Sequence, residues 1–437
     1  MALFIWLCLL CGLIASYSSP VVAEQTWVAG WQQSSGLNIA RAGAASATHN
    51  NVLYVIGGVD GRDFLKSVEF SQMKSDGTLS AWRFTQALPE ARGFMSAIVL
   101  DQMIYVVGGG NGPHGKQLLN TVLVAKILEN GHLSAWTTQT HRLMLPRRCS
   151  KLFSWQGALY TVGGFAGTLL DSVERGFLLP QTQAQTWHLL ENKLTMPRYV
   201  NGLQRIKNQV FVVGGHHPEQ GRGLVDVEWG QLGHSSEALR WQKTEPLLQG
   251  RYALSLAAFG EYLYALGGIS GAEYLASIEK TKTDHVDGVS AWQNTTSLPE
   301  PLANFSVVTI GHRIFVVGGV TRSGYRGQVY WATFNDQGDI GFHGIATQAS
   351  RVVSQEAEAP ILPNSGTVLR MIDSGGYTYI EVLTNGSITW LAAPRMSLKQ
   401  GDRIRYSEGV AMSNFYSKKL KHQFALILFV SRLVVGE

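Results

Sequence analysis

Five arginines recur at one fixed offset. Arg41, Arg92, Arg147, Arg198 and Arg251 each lie sixteen residues before the first glycine of a Gly-Gly pair, and the sixth position at that offset is Leu302. A guanidinium presents its donors as a planar fork that holds a carboxylate at two points. A partial ring of five would therefore suit a ligand with a carboxylate, either an acidic sugar or an acidic peptide. The same regularity suits a structural duty, in which each arginine caps backbone carbonyls between neighbouring units. His216, His217 and Glu219 follow the fourth Gly-Gly pair and form the densest group of potential acid/base side chains. Two adjacent histidines and one glutamate in a single loop fall short of a metal set, so no metal or cofactor is expected. We group these three with the arginines as candidate ligand-binding residues, with a solvated loop as the plainer alternative. Glu69, Glu174, Glu228 and Glu279 recur too regularly to mark one active site and read as structural partners. Cys149 sits beside two arginines that would favour its thiolate, although an apolar place on an inner strand explains it better.

The elements that position these residues come from an internal repeat. Leu53-Tyr-Val-Ile-Gly-Gly58 returns as variants ending at Gly109, Gly164, Gly215, Gly268 and Gly319, with first glycines spaced by 51, 55, 51, 53 and 51 residues. Each string is a β-branched and aromatic run closed by two glycines, which predicts a buried strand entering a tight turn. Trp82, Trp136, Trp187, Trp241 and Trp292 follow 23 to 27 residues after the second glycine. Such a unit cannot cover both of its faces alone, and radial stacking covers them. These residues resemble the kelch repeat across roughly residues 27 to 345. The resemblance implies a β-propeller with six four-stranded blades, one per diglycine strand.

The ring must also close. Trp31 lies ten residues before Arg41, as Trp82 lies ten before Arg92. The N-terminal strand Thr26–Trp31 should then complete the sixth blade, unless it competes there with Gly338–Phe342. In a four-stranded blade the loop after the diglycine shares a face with the link that carries the arginines. That face is the expected recognition surface, because its loops differ from repeat to repeat.

Both ends of the chain read differently from the repeat. Residues 1–23 hold an apolar run and Val21-Val22-Ala23, which predicts a cleaved signal peptide and a periplasmic or secreted protein. Residues 24–346 form the predicted propeller and 347–363 a proline-bearing linker. Residues 364–437 carry five short strand patterns and predict a small OB-like β-barrel, so the fold class is all-β. Gly375-Gly-Tyr-Thr-Tyr379, Trp390-Leu-Ala-Ala-Pro394 and Met412–Lys418 resemble small exported bacterial domains found with c-type cytochromes or metal-handling proteins. Charged residues make up 15% of the chain and the net charge is +5. Nothing in that balance resembles the basic face of a nucleic-acid binder. No membrane span after leader cleavage and a monomeric state are expected.

Kelch propellers are chiefly recognition platforms, so the resemblance implies a non-catalytic module for an acidic ligand or a protein partner. The alternative is a carbohydrate-active enzyme, since six exported kelch repeats also resemble the sialic-acid mutarotases of Gram-negative periplasms. That chemistry needs a positioned acid and base beside the arginines.

Overall fold

The computed structural model describes residues 26–344 and 364–435 apart from 178–185, 219–220, 234–238, 285, 375–376, 385, 407–408, 418–419 and 431–432, together with Leu362. The expected signal peptide, most of the expected linker and Glu219 lie outside the described residues.

Six antiparallel sheets stand around a central axis, and the second strand of each is the diglycine string. Val52–Ile56 and Gln209–Val213 are buried along their whole length. This is why those segments read as near-continuous apolar runs with no polar face: each is covered by a blade on either side. In the first blade the order is Ala45–His49, Val52–Ile56, Val68–Gln72 and Arg83–Thr85, from axis to rim. The inner strands pack against their neighbours around the channel.

The diglycines and the arginine links build the joints between blades. Gly57 and Gly58 have φ of 57° and 98°, a region that favours glycine. A Cβ on Gly57 would lie 2.4 Å from the carbonyl oxygen of Arg92 in the next blade. The Gly58 N–H donates to that same oxygen at 2.9 Å. Equivalent bonds join Gly109 to Arg147, Gly164 to Arg198, Gly215 to Arg251 and Gly268 to Leu302. Gly319 donates to Arg41 and so joins the last blade to the first.

Closure uses both candidate strands, so the two do not compete for one place. Gln32–Gln33 pairs with Val329–Phe334 as the outer strand of the sixth blade. Thr26–Ala29 pairs instead with Ile340–Gly344, which is itself hairpinned onto the end of Val329–Phe334. The expected pairing of residues 26–31 with the blade is thus made through the hairpin arm, while the direct partner of the third strand lies just beyond Trp31. The hairpin around Gly338 pairs only Thr333 and Phe334 with Gly341 and Ile340, which leaves Tyr330 and Trp331 to pair with Gln33 and Gln32. Tryptophans fasten the rim. The indole N–H groups of Trp82, Trp136 and Trp292 donate to Ser35, Gln86 and Glu245 of the preceding blade, and Trp31 donates to Ser297 at 2.9 Å. Trp31 is thereby the N-terminal copy of the repeat tryptophan.

The C-terminal region forms a separate seven-stranded sheet where five strands were expected. Its order is Gly409–Ser417, His422–Val430, Ser387–Pro394, Tyr377–Thr384, Asn364–Ser374, Arg403–Tyr406 and Leu433–Val435. Its core holds Val368, Ile380, Leu391, Ile404 and Val430. The pair formed by His422–Val430 and Ser387–Pro394 is parallel, and the other pairs are antiparallel. Among the described residues no helix is long and apolar enough to cross a membrane.

Candidate functional site

The five repeat arginines do not face a ligand. Their side chains are 0–1% exposed, and each is held inside its own blade. Arg41 Nη1 donates to the carbonyls of Gly57 and Ser67, and Nη2 reaches Glu69 at 2.5 Å. Arg147, Arg198 and Arg251 repeat the pattern with Glu174, Glu228 and Glu279. Each glutamate also accepts backbone N–H groups from the link, such as Asn38 and Ile39 at Glu69. The sixteen-residue offset has a direct cause, because all five guanidiniums donate to the carbonyl of the first glycine at 2.9–3.2 Å. Burial works against the guanidinium charge, and the facing carboxylate works to restore it. The proposed ligand-binding role of Arg41, Arg92, Arg147, Arg198 and Arg251 is therefore corrected to a lock. Their main chains bond the preceding blade and their side chains bond their own.

Two blades depart from this lock in related ways. In the second blade Leu123 occupies the register of the glutamate, and Arg92 pairs with Glu90, two residues upstream and 40% exposed. In the sixth blade Leu302 and Tyr330 replace both partners. Glu300, again two residues upstream, accepts the Tyr330 hydroxyl at 2.9 Å and pairs with Arg326 at 3.0 Å.

The residue two places after each arginine rings the mouth of the axial channel. Gly43, Phe94, Cys149, Val200, Ala253 and Asn304 all have φ between 49° and 59°, strained for Val200 and Phe94. Five N–H···O=C bonds of 2.7–2.9 Å run round this ring, linking Phe94 to Gly43, Cys149 to Phe94, Ala253 to Val200, Asn304 to Ala253 and Gly43 to Asn304. Bonds shared in an unbroken run from Val200 round to Cys149 are what hold so many non-glycine residues in that conformation. Cys149 lines a small cavity of about 50 Å³ here. Burial pushes its thiol up to about 11 against the pull of Arg148 and Lys151, so the thiolate that two arginines suggested is disfavoured.

One place after each arginine, the chain touches the loop that follows the diglycine. Isolated bridges pair Ala42 with Val59, Gly93 with Gly110, Arg148 with Phe165, Tyr199 with His216, Tyr252 with Ile269 and Ala303 with Val320. Links and loops thus share one face in every blade, as the strand count requires. Over the third to fifth blades the paired residues form a continuous arc. The Arg148 guanidinium stacks on Phe165 at 5.2 Å and donates to the Gly115 carbonyl at 2.9 Å. Phe165 then meets Tyr199 at 5.9 Å, Tyr199 meets His216 at 5.5 Å and His216 meets Tyr252 at 5.0 Å, the last two edge-on. All five side chains are half-buried. Burial, with His217 beside it, lowers the His216 pKa and keeps that ring neutral. Burial raises the phenols of Tyr199 and Tyr252. His216 Nδ1 is buried without a hydrogen-bond partner. Of the expected histidines, His216 joins the arc and His217 lies next to it, partly exposed. Sequence reasoning passed over Arg148, Tyr199 and Tyr252. The signal was present, because these sit immediately after the repeat arginine at a position that is Ala42, Gly93 or Ala303 elsewhere in the repeat.

The kelch motif matches residues 40–69, the stretch of the first blade from Arg41 through the diglycine to Glu69. The chain is similar to mouse (Mus musculus) kelch-like protein 38, 26% identical over 38% of this chain and 27% of that protein. It is also similar to beta-scruin of Limulus polyphemus, 24% identical over 64% of this chain and 30% of that protein. With mouse kelch-like protein 28 it shares 31% identity over 37% of this chain and 26% of that protein. The chain therefore spans about a quarter of the length of the curated relatives it matches first. The solved structure of YjhT superposes with a TM-score of 0.56 at 14% identity, covering 70% of this chain and 98% of that one. Motif, relatives and blade count agree on a kelch-repeat β-propeller.

Proposed function

We propose that this propeller is a recognition module that binds an acidic ligand, a sugar acid or an acidic peptide, on the face built from the links and the post-diglycine loops. The observation that carries the reading is the arc of Arg148, Phe165, Tyr199, His216 and Tyr252 across three adjacent blades. Flat aromatic faces cover sugar rings or apolar side chains, and Arg148 adds a cation for a carboxylate. The unpartnered His216 Nδ1 offers a hydrogen-bonding position in the middle of the arc. Recognition needs nothing further. A mutarotase-type enzyme would also need a carboxylic acid acting beside the arc. We read the C-terminal domain as OB-like. That reading is supported by the parallel pairing of its late strand with Ser387–Pro394 and by the later pairing of Leu433–Val435 with Arg403–Tyr406, which together lead the strand order back to Asn364–Ser374.

The test is a calorimetric titration with glucuronate, N-acetylneuraminate and a poly-glutamate peptide against the neutral sugar glucose. Arg148→Ala and Tyr199→Ala should each weaken the best acidic ligand about 10-fold, as expected for one charge-assisted bond or one stacked ring. Binding that is equal for neutral and acidic ligands, or unchanged in both variants, refutes the reading.

A further inference from the structure

Beneath the mouth, the inner strands begin at the fourth residue after each arginine. Those residues are Ala45, Ser96, Lys151, Gly202, Ser255 and Ser306. The serines have a structural task. Ser96 Oγ donates to the Ser150 carbonyl at 2.6 Å, Ser255 to Phe305 at 2.6 Å and Ser306 to Ala44 at 3.2 Å, each across to the next blade. Lys151 stands in this layer without such a task. Its side chain lines both the small cavity at the mouth and a second cavity of about 180 Å³ below it. It is the one charged residue in either lining. Among the described residues no hydrogen bond or salt bridge holds its ammonium.

We propose that Lys151 makes the axial channel a binding site for a single oxyanion. A lysine left unpaired in a narrow channel is costly unless something compensates it, and the repeat shows that the fold does not need one here. Small residues fill the other five equivalent positions. The cavity has room for a few waters or one small oxyanion, and no carboxylate in the lining competes for the ammonium. The Ser46 and Ser150 hydroxyls and the Asn304 amide lie around the same space as further polar partners, whereas Ser96, Ser255 and Ser306 donate their protons to carbonyls. Burial lowers the Lys151 pKa, and a bound anion would favour its charged form. The oxyanion is either a free inorganic ion or the carboxylate of a ligand that enters from the mouth, and both use the same ammonium. The site is separate from the arc and stands whether or not the outer face recognises an acidic ligand.

Lys151→Ser is the informative variant, because serine already occupies three of the six equivalent positions, and Lys151→Met serves as a second. Calorimetric titration with sulfate and with glucuronate, at constant ionic strength, should show binding in the wild type that falls at least 10-fold in both variants. The rate of Cys149 alkylation by iodoacetamide, followed on its own peptide, should fall when the anion is present in the wild type alone. Loss with sulfate assigns a free inorganic ion; loss with glucuronate but no sulfate binding assigns the carboxylate of a larger ligand. The proposal is overturned if neither anion binds the wild type or if both variants bind as the wild type does. It is equally overturned if neither variant folds, which would make the lysine structural.

Discussion

Arg147 and Arg148 are neighbours with opposite fates. Arg147 is fully buried, paired with Glu174 and bonded to the carbonyl of Gly163. Arg148 lies at the mouth, stacked on Phe165 within the arc. The same division runs through the third to fifth blades, with Arg198 beside Tyr199 and Arg251 beside Tyr252. A residue that five of the six blades repeat serves what each blade must do, which is to join its neighbours. A residue that changes from blade to blade is free to meet something outside the fold. The comparison breaks most sharply at the invariant member. Arg198→Ala with Arg251→Ala leaves Glu228 and Glu279 buried without a cation. Each loss costs about 3–5 kcal/mol, and the two sites lie in different blades and should add. Together they approach the whole stability of a typical domain, roughly 5–15 kcal/mol. Urea titration of the double variant should show a chain that is unfolded or nearly so. A folded double variant with altered ligand binding would restore the arginines to the recognition face.

The rim offers the next largest effect. Trp31 is 3% exposed, packs in the core shared by the last two blades and donates to Ser297 across that joint. Trp31→Ala should cost about 3–5 kcal/mol through the cavity and the lost indole bond. The loss should fall on the sixth blade first, because the variant loosens the Gln32–Gln33 strand that covers its edge. Hydrogen exchange in Val329–Phe334 should therefore rise more than in Gln209–Val213. Equal acceleration in both strands would mean that the N-terminal segment does not set closure.

Much of this fold was legible because the repeat is written in residue types with one physical meaning. Gly57 and Gly58 are glycines since a carbonyl of the next blade approaches within 2.9 Å of the backbone, and that requirement returns six times. Trp31 could be placed by its offset alone. The site was less legible for the same reason. Regularity drew attention to Arg41 and its copies, whereas Arg148, Tyr199 and Tyr252 are not one repeated residue type and become a set only once bridges to Phe165, His216 and Ile269 place them side by side. The hairpin arm Ile340–Gly344 hides in sequence too. Its pairing with Thr26–Ala29 joins residues more than three hundred apart, and no local pattern reports such a contact.

The smallest effect sharpens the comparison within the lock itself. Glu174 and Glu90 do the same chemical work for Arg147 and Arg92, yet one carboxylate comes from a buried strand and the other from the link. Glu174 is 0% exposed and also accepts the N–H groups of Met144 and Leu145, so its removal takes the acceptor from three donors, the fully buried Arg147 guanidinium among them. Glu90 is 40% exposed. When it is removed, water can reach the place of its carboxylate, and Arg92 keeps the Gly108 carbonyl and the Thr121 hydroxyl. Glu174→Ala should thus cost about 3–5 kcal/mol, the range for an orphaned buried partner. Glu90→Ala should cost only about 1–2 kcal/mol, nearer a solvent-assisted hydrogen bond to a charge. Salt separates them further, since screening acts on the exposed pair and hardly on the buried one. Raising the ionic strength should shrink the Glu90→Ala effect and leave that of Glu174→Ala unchanged, as read from urea midpoints. If the two variants cost the same and respond alike to salt, burial is not what sets the strength of the lock, and the second blade is held by contacts other than Glu90.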